Sequence, residues 1–247
     1  MKNTKAIFFK QFQSLLRNPG MIVQAILFLV LVIIMTFLIG GYEDTDCESC
    51  IPAYVCTPCL EGNTYTSAAD PSLTGLFTVM FVGFALVGSA SALVIEDKTT
   101  QNLRFMAMAD VKPWQYLVGT VVSMAILSVG ILALYALVGR YLGVQMIWFM
   151  AITMSGAIVS ILLGLVVGLS KAPGLTTLLS LVLGLGPMLS GFNEALARVL
   201  RFTFTQQVNL AVSDLSADLS TNFMIIGANG AVILLLFVWM HRKGVLG

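Results

Sequence analysis

Long uncharged stretches dominate the pattern of hydrophobic and polar positions along this chain. Six windows of 22 to 30 residues contain no Asp, Glu, Lys or Arg: 18–42, 71–95, 113–139, 141–170, 172–193 and 219–240. Each is long enough for a transmembrane helix, since about 20 apolar residues cross the hydrocarbon core of a bilayer. The apolar runs are continuous, whereas a membrane β-barrel alternates over segments of about ten residues. The pattern predicts an all-α polytopic membrane protein, with six transmembrane helices in a single domain, 1–247.

The composition agrees with this fold class. Hydrophobic residues make up 58% of the chain and charged residues 10%, whereas ordinary globular proteins carry about 25% charged residues. So few charges cannot cover a water-facing surface. This excludes a soluble enzyme, a disordered chain and a nucleic-acid-binding protein, so the lipid bilayer is the first expected partner and nucleic acid is not one.

The distribution of basic residues predicts the orientation of the chain. If the N-terminus is cytoplasmic, the segments on that side contain ten of the 13 Lys and Arg residues and three of the 12 acidic residues. The segments on the other side contain three basic and nine acidic residues. Because cytoplasmic loops are enriched in Lys and Arg, both termini are predicted to be cytoplasmic.

Residues 1–20 have a pattern of their own. Apolar residues recur at helical spacing among polar and basic ones, and a turn signal follows: Phe8, Phe12, Leu15 and Leu16, then Arg17-Asn18-Pro19-Gly20. One apolar stripe with basic flanks predicts an amphipathic helix in the cytoplasmic interface. The alternative is a plain amphipathic leader attached to the first span.

All four cysteines lie in the extracytoplasmic loop 42–71, which contains six acidic residues and no basic one. They form two Cys-x-x-Cys pairs separated by five residues: Cys47, Cys50, Cys56 and Cys59. Two disulfides are favoured, because thiols on the oxidising side of a membrane persist as disulfides. Four thiolates also suit zinc, although zinc ribbons use a longer spacer of about 15–20 residues. Free thiols are the third possibility, and the sequence does not choose among the three disulfide pairings.

The longest cytoplasmic connection, 96–116, contains a second short amphipathic pattern. Its apolar residues are Leu103, Phe105, Met106 and Met108, and its flanking charges are Glu96, Asp97, Lys98 and Arg104. The pattern predicts a short helix at the cytoplasmic face that ends before Pro113. The alternative is an interfacial connector without a partner.

Small residues at four-residue spacing mark one face of the fourth window: Gly156, Ser160, Gly164 and Gly168. Such a face lets two helix backbones approach closely, either within the chain or between subunits. The fifth window contains Gly184, Gly186 and Pro187, so its outer half is expected to be broken. The segment after it, 191–220, mixes apolar and charged residues. It is a candidate re-entrant hairpin, since irregular backbone at membrane depth is tolerated where it is buried in protein.

The chain carries no signature of catalysis or of a bound cofactor. It contains one histidine, His241, and no GxxxxGK[ST] phosphate-binding loop. None of the six windows holds an acid or a base, whereas ion-coupled transporters place such groups inside the membrane. An uncharged interior suits a hydrophobic or amphipathic cargo, and no catalytic or metal-binding residue is predicted in the spans.

Together these features resemble the membrane subunit of a type 2 ATP-binding-cassette exporter. One shared feature is the amphipathic N-terminal helix that ends in an Arg-Asn-Pro turn. The other follows the second span and consists of an acidic–basic cluster, an apolar helix, and then Pro, an aromatic pair and Gly. In this chain the second feature reads Glu96-Asp97-Lys98, Leu103 to Ala109, Val111 to Tyr116, and Gly119. The chain departs from the family at Thr99-Thr100-Gln101, where the family usually has Gly-Thr.

The resemblance implies a set of partners. ATP and Mg would bind to two separate cytoplasmic ATPase subunits, so this permease would itself be no enzyme and would carry no cofactor. A second permease subunit, identical or different, would complete the exporter. The helix in 96–116 would be the coupling helix that docks on the ATPase, with Leu103, Phe105 and Met106 as apolar anchors. Glu96 and Arg104 would make charged contacts at its rim.

The resemblance also implies a cargo and a location. A peptide or a drug is the expected cargo, and the expected location is the cell membrane of a bacterium. The segment 191–220 would correspond to the family's short re-entrant helices. An ATPase-independent immunity or sensing protein of the membrane is the alternative reading, and it predicts no cytoplasmic partner.

Overall fold

A computed structural model describes residues 2–17, 19–40, 71–101, 113–170, 173–190, 194–213, 215 and 219–242. In these ranges the chain is helical throughout, apart from short turns, and contains no strand. The cysteine loop lies outside the described residues, and so does 102–112, the middle of the predicted coupling segment. The all-helical fold class is confirmed for the part of the chain that the structure describes.

The helices follow one another in the order that the uncharged windows predict. They are α1 (Lys2–Arg17), α2 (Pro19–Gly40), α3 (Pro71–Met80), a π-helix (Phe81–Leu86), α4 (Val87–Thr99), α5 (Pro113–Val138), α6 (Val144–Leu169), α7 (Pro173–Ser190), α8 (Glu194–Leu200), α9 (Phe204–Ser213) and α10 (Ser220–Arg242). The segments α3, the π-helix and α4 follow one another without a gap and form one continuous helix.

Four helices of the described residues are long and apolar enough to cross a membrane: Thr74–Thr99, Trp114–Val138, Val144–Leu169 and Ser220–Met240. The apolar stretch of α7, Gly174–Ser190, is shorter, and α2 has 22 residues. These helices support a multi-pass membrane protein. The count of six spans and the cytoplasmic position of both termini stay predictions.

The helix α6 lies at the centre of the bundle, and its small residues are contact points. A Cβ atom placed on Gly164 would lie 2.6 Å from the carbonyl oxygen of Val87, and one on Gly168 would lie 2.9 Å from the carbonyl oxygen of Ser91. Gly164 and Gly168 therefore lie directly against the backbone of α4, whereas Gly156 faces Val208 of α9. Within this chain, α4 fills the close contact that four-residue spacing predicts.

The prediction that the outer half of the fifth window is broken is wrong, because α7 runs without interruption from Pro173 to Ser190 and contains Pro187. The glycines of α7 serve its packing instead. A Cβ on Gly184 would lie 2.7 Å from the Cβ of Phe84, and one on Gly83 would lie 2.6 Å from the carbonyl oxygen of Leu183. Pro187 has no N–H to donate to that carbonyl. The oxygen of Leu183 instead faces a glycine of the π-helix, and the close contact supports α7 where its hydrogen-bond ladder is interrupted.

Candidate functional site

A buried carboxylate lies at the end of α4 that is predicted to be cytoplasmic. Asp97 is 6% exposed, and its oxygen Oδ2 accepts hydrogen bonds from Gln11 Nε2 at 2.8 Å and from the Tyr116 hydroxyl at 2.9 Å. Lys10 Nζ lies 3.4 Å from the other oxygen, Oδ1. Asp97 therefore joins three helices, namely α1, α4 and α5.

The partners explain why a charged group is tolerated there. An isolated carboxylate is expensive to bury, and an opposite charge together with hydrogen bonds offsets much of that desolvation cost. Lys10 supplies the opposite charge and keeps 45% of its side chain exposed. Gln11 is 1% exposed, so its amide would itself be an unsatisfied buried group without Asp97.

The next residue in the chain, Lys98, binds a different helix. Its Nζ donates to the carbonyl oxygens of Gly168 at 3.0 Å, Leu169 at 2.6 Å and Ser170 at 3.2 Å. The last carbonyls of a helix have no partner within the helix and carry its negative dipole end. Lys98 therefore caps the C-terminus of α6.

Asp97 and Lys98 together fix the end of α4 to α1, α5 and α6. The helix ends at Thr99, where the hydroxyls of Thr99 and Thr100 donate to the carbonyl oxygen of Glu96 at 2.9 and 2.8 Å. The chain then reaches Gln101 in a left-handed conformation, with a φ of 56°. The segment that follows is thus attached to a firmly held helix end.

The sequence-predicted coupling residues divide into two groups. Glu96 is exposed in the last turn of α4, as a rim residue would be. Leu103, Arg104, Phe105 and Met106 lie outside the described residues. The structure thus describes both flanks of the predicted coupling helix, and α5 begins at Pro113 beyond it.

From the sequence, Asp97 and Lys98 are flanking charges of the loop 96–116, and no local pattern identifies their partners. One feature of the sequence does point to a buried polar contact, because Gln11 shares a helical face with the apolar residues Phe8 and Leu15. A polar residue on an apolar stripe needs a buried partner. The charged ends of the uncharged windows are where such partners can be found.

A second polar cluster holds the hairpin of α8 and α9, which enters the bundle from the predicted outer side. Asn229 Nδ2 donates to the carbonyl oxygen of Phe202 at 3.0 Å, and Gln207 Nε2 donates to that of Arg201. The hydroxyl of Ser190 donates to Gln206 Oε1 at 3.2 Å. These amides satisfy the backbone of the turn between α8 and α9, which is a requirement for any non-helical segment at membrane depth.

No group of three or more His, Cys, Asp or Glu side chains that could hold a metal ion occurs among the described residues. The candidates Cys47, Cys50, Cys56 and Cys59 lie outside them. Disulfides, zinc and free thiols in the outer loop therefore stay open.

The helices and the two clusters define a polytopic membrane protein. The sequence model of one family, ABC-2 type transporter, matches residues 2–209 of the chain. The chain belongs to this family, and it is the membrane permease subunit of an ABC-2 type exporter. Comparison with curated proteins and with solved structures finds no match.

Proposed function

We propose that this permease forms the substrate pathway of an ATP-driven exporter in the cell membrane of a bacterium. A separate cytoplasmic ATPase subunit binds ATP and Mg, and a second permease subunit, identical or different, completes the pathway. The family assignment supports the transport role. The lack of a GxxxxGK[ST] loop supports ATP hydrolysis on another chain.

The observation that carries the coupling part of the proposal is the hydrogen bond between Tyr116 and Asp97. These residues stand on the two sides of the segment 102–112, on α5 and α4. Because the bond joins both flanks, a displacement of the segment moves α4 and α5 together. Through Gln11 the displacement also reaches α1, and through Lys98 it reaches α6.

The segment itself supplies the docking surface in this proposal. Leu103, Phe105 and Met106 are the apolar anchors, and each buried anchor contributes roughly 1–3 kcal/mol to binding. Glu96 and Arg104 make charged contacts at the rim, where such contacts contribute less. ATP-driven motion of the ATPase is thereby passed to the helices.

The apolar bundle favours a hydrophobic or amphipathic cargo such as a peptide or a drug. The described spans carry neutral polar groups in their interior, among them Thr78, Ser123 and Thr153. Each of these hydroxyls donates to a backbone carbonyl of its own helix. The six uncharged windows provide no charged group to compensate a small ion, and the acids of Thr74–Thr99 lie in its last turn, at the predicted cytoplasmic end.

The test replaces Phe105 and Met106 together by Asp and follows the ATPase. An unpaired charge in an apolar interface costs several kcal/mol, which is enough to release the partner. We expect Phe105→Asp/Met106→Asp to insert and dimerise normally, while ATPase co-purification, stimulated ATP hydrolysis and export fall together. Phe105→Leu/Met106→Leu keeps the apolar anchors and is the matched control.

Two results would contradict the proposal. If the double Asp variant retains a bound ATPase and normal export, the docking assignment is wrong. If the unaltered chain purifies with no ATPase at all, the immunity or sensing alternative gains the support that the exporter proposal loses.

A further inference from the structure

The hairpin of α8 and α9 lies beside the middle of two long helices, with α9 against α6 and the turn against α10. A Cβ placed on Gly156 would lie 2.6 Å from Val208 Cγ2, and Gly156 is near the midpoint of the 26-residue helix α6. Phe202 accepts a hydrogen bond from Asn229, which lies nine residues after the first residue of α10. At about 1.5 Å per residue, Asn229 is about 13 Å from that end of the helix.

The positions of α8 and α9 relative to the neighbouring helices α7 and α3 agree with this depth. A Cβ on Gly186 would lie 3.0 Å from Leu200 Cδ1, so the last residue of α8 lies one turn below the end of α7. A Cβ on Gly75 would lie 3.0 Å from Val212 Cγ1, so α9 returns to the level where α3 begins. The hairpin thus enters the bundle from the predicted outer side and leaves on the same side.

The hairpin carries two arginines to this depth. Arg198 and Arg201 are both exposed, and among the described residues no carboxylate lies within 4.0 Å of either guanidinium. The acid nearest in sequence is Glu194, one turn earlier at the outer end of α8. A charged side chain at hydrocarbon depth is costly unless it faces water or an opposite charge. The uncharged windows of the spans hold no opposite charge, and Glu96 and Asp97 lie at the predicted cytoplasmic end of Thr74–Thr99, so the two cations require an anion or an aqueous space.

Two exposed apolar side chains lie in the same short segment. Val199 is 71% exposed and Phe202 is 73% exposed, and each lies next to an arginine in sequence. The exposed residues of 198–202 therefore comprise two arginines and two large apolar residues. This combination is complementary to a molecule that carries an anionic group on an apolar body.

We propose that Arg198, Arg201, Val199 and Phe202 form a binding site for an anionic amphipathic cargo. The guanidinium groups bind its carboxylate or phosphate, for which their planar fork is suited, and Val199 and Phe202 contact its apolar part. The inference rests on the proposed export function, because it places the site in the substrate pathway. It narrows the cargo to amphiphiles with a negative charge.

The first experiment measures whether the site is aqueous and positively charged. In a full-length chain with Cys47, Cys50, Cys56 and Cys59 replaced by Ser, we introduce Arg198→Cys, Arg201→Cys or, on the exposed face of α10, Val232→Cys. Membrane-impermeant thiosulfonates of either charge should modify positions 198 and 201 but not position 232. The anionic reagent should react several-fold faster at 198, and Arg201→Gln should remove that preference.

The second experiment measures binding with a defined probe. Dansylaminoundecanoic acid and its uncharged methyl ester are titrated into the purified chain in phosphatidylcholine nanodiscs. We expect the acid to bind at least tenfold more tightly than the ester. Arg198→Gln/Arg201→Gln should abolish the difference, and Arg198→Lys/Arg201→Lys should keep part of it. Arg140→Gln, in the turn between α5 and α6, is the control for a general loss of positive charge.

Three results would overturn the inference. One is modification of 198 and 201 only by lipophilic reagents, since the arginines would then face lipid or protein. Another is disulfide cross-linking of Arg201→Cys between two chains, which would assign the surface to a subunit contact. The third is displacement of the acid by anionic phosphatidylglycerol in the nanodisc, which would mean that the site binds a lipid headgroup and not a cargo. None of these measurements uses the ATPase, so their failure is distinct from a failure of ATPase co-purification.

Discussion

The side-chain amide of Gln11 donates a hydrogen bond of 2.8 Å to the carboxylate of Asp97, although the two residues are 86 positions apart in the chain. Both side chains are buried, and Tyr116 donates to the same carboxylate oxygen. The N-terminal helix is therefore attached to the bundle at a specific point. An interfacial leader held only by its apolar stripe would need no such bond.

Replacing Asp97 by Ala should destabilise the protein strongly. The variant loses the ion pair with Lys10 and leaves the buried donors of Gln11 and Tyr116 without an acceptor. We expect a loss of about 2–4 kcal/mol in the free energy of unfolding, measured by denaturant titration of the purified chain. Glu96→Ala, at an exposed position in the same turn, should change it by less than about 0.5 kcal/mol. Equal effects of the two substitutions would contradict the role of Asp97.

Replacing Lys98 by Met should loosen the C-terminus of α6. Met keeps most of the aliphatic stem but removes the ammonium that binds three carbonyl oxygens. We expect a loss of about 1–3 kcal/mol, together with faster amide hydrogen exchange in the last two turns of α6. Lys98→Arg should retain most of the protection. Unchanged exchange in Lys98→Met would mean that the cap contributes nothing to this helix end.

The sequence predicted the helices well because bilayer thickness sets their length. Pro19 and Pro113 begin helices where the uncharged windows start, since proline is tolerated in a first helical turn. For the second span, the window predicts an end that is too early. Its helix continues to Thr99, four residues beyond the window, because Asp97 and Lys98 find partners on helices that are distant in the chain. No local pattern contains that information.

At Pro187 the sequence predicts a break in the helix that the structure does not have. A proline preceded by two glycines predicts a break from local propensity alone, yet α7 is continuous because Gly184 packs against Phe84 of the π-helix. Packing of this kind depends on the neighbouring helix, so it could not be read from the fifth window. The coupling helix and the cysteine loop lie outside the described residues and stay predictions.

The cysteine loop can be tested by mass spectrometry under non-reducing conditions. Two disulfides among Cys47, Cys50, Cys56 and Cys59 would leave no alkylatable thiol and would remove four hydrogen atoms from the reduced chain. Proteolytic mapping would then identify which of the three pairings is present. Replacing all four by Ser should leave insertion of the helices unchanged, because the predicted loop lies outside the hydrocarbon. Stoichiometric zinc, with all four thiols alkylatable after chelation, would instead establish the metal site.

Two glycine-to-alanine substitutions should shift the free energy of unfolding in opposite directions. A Cβ on Gly164 would lie 2.6 Å from both the Cβ of Ala90 and the carbonyl oxygen of Val87, whereas a Cβ on Gly130 would meet nothing within 4 Å. Gly164→Ala must push α4 and α6 apart, and we expect it to cost about 1–3 kcal/mol of unfolding free energy. Gly130→Ala only removes backbone freedom from the unfolded chain, so it should stabilise α5 by up to about 1 kcal/mol. The comparison uses the same chemical change in two long helices, so a general effect of adding a methyl group cancels. If both variants shift the unfolding free energy in the same direction by similar amounts, the close contact between α4 and α6 does not limit the packing of this bundle.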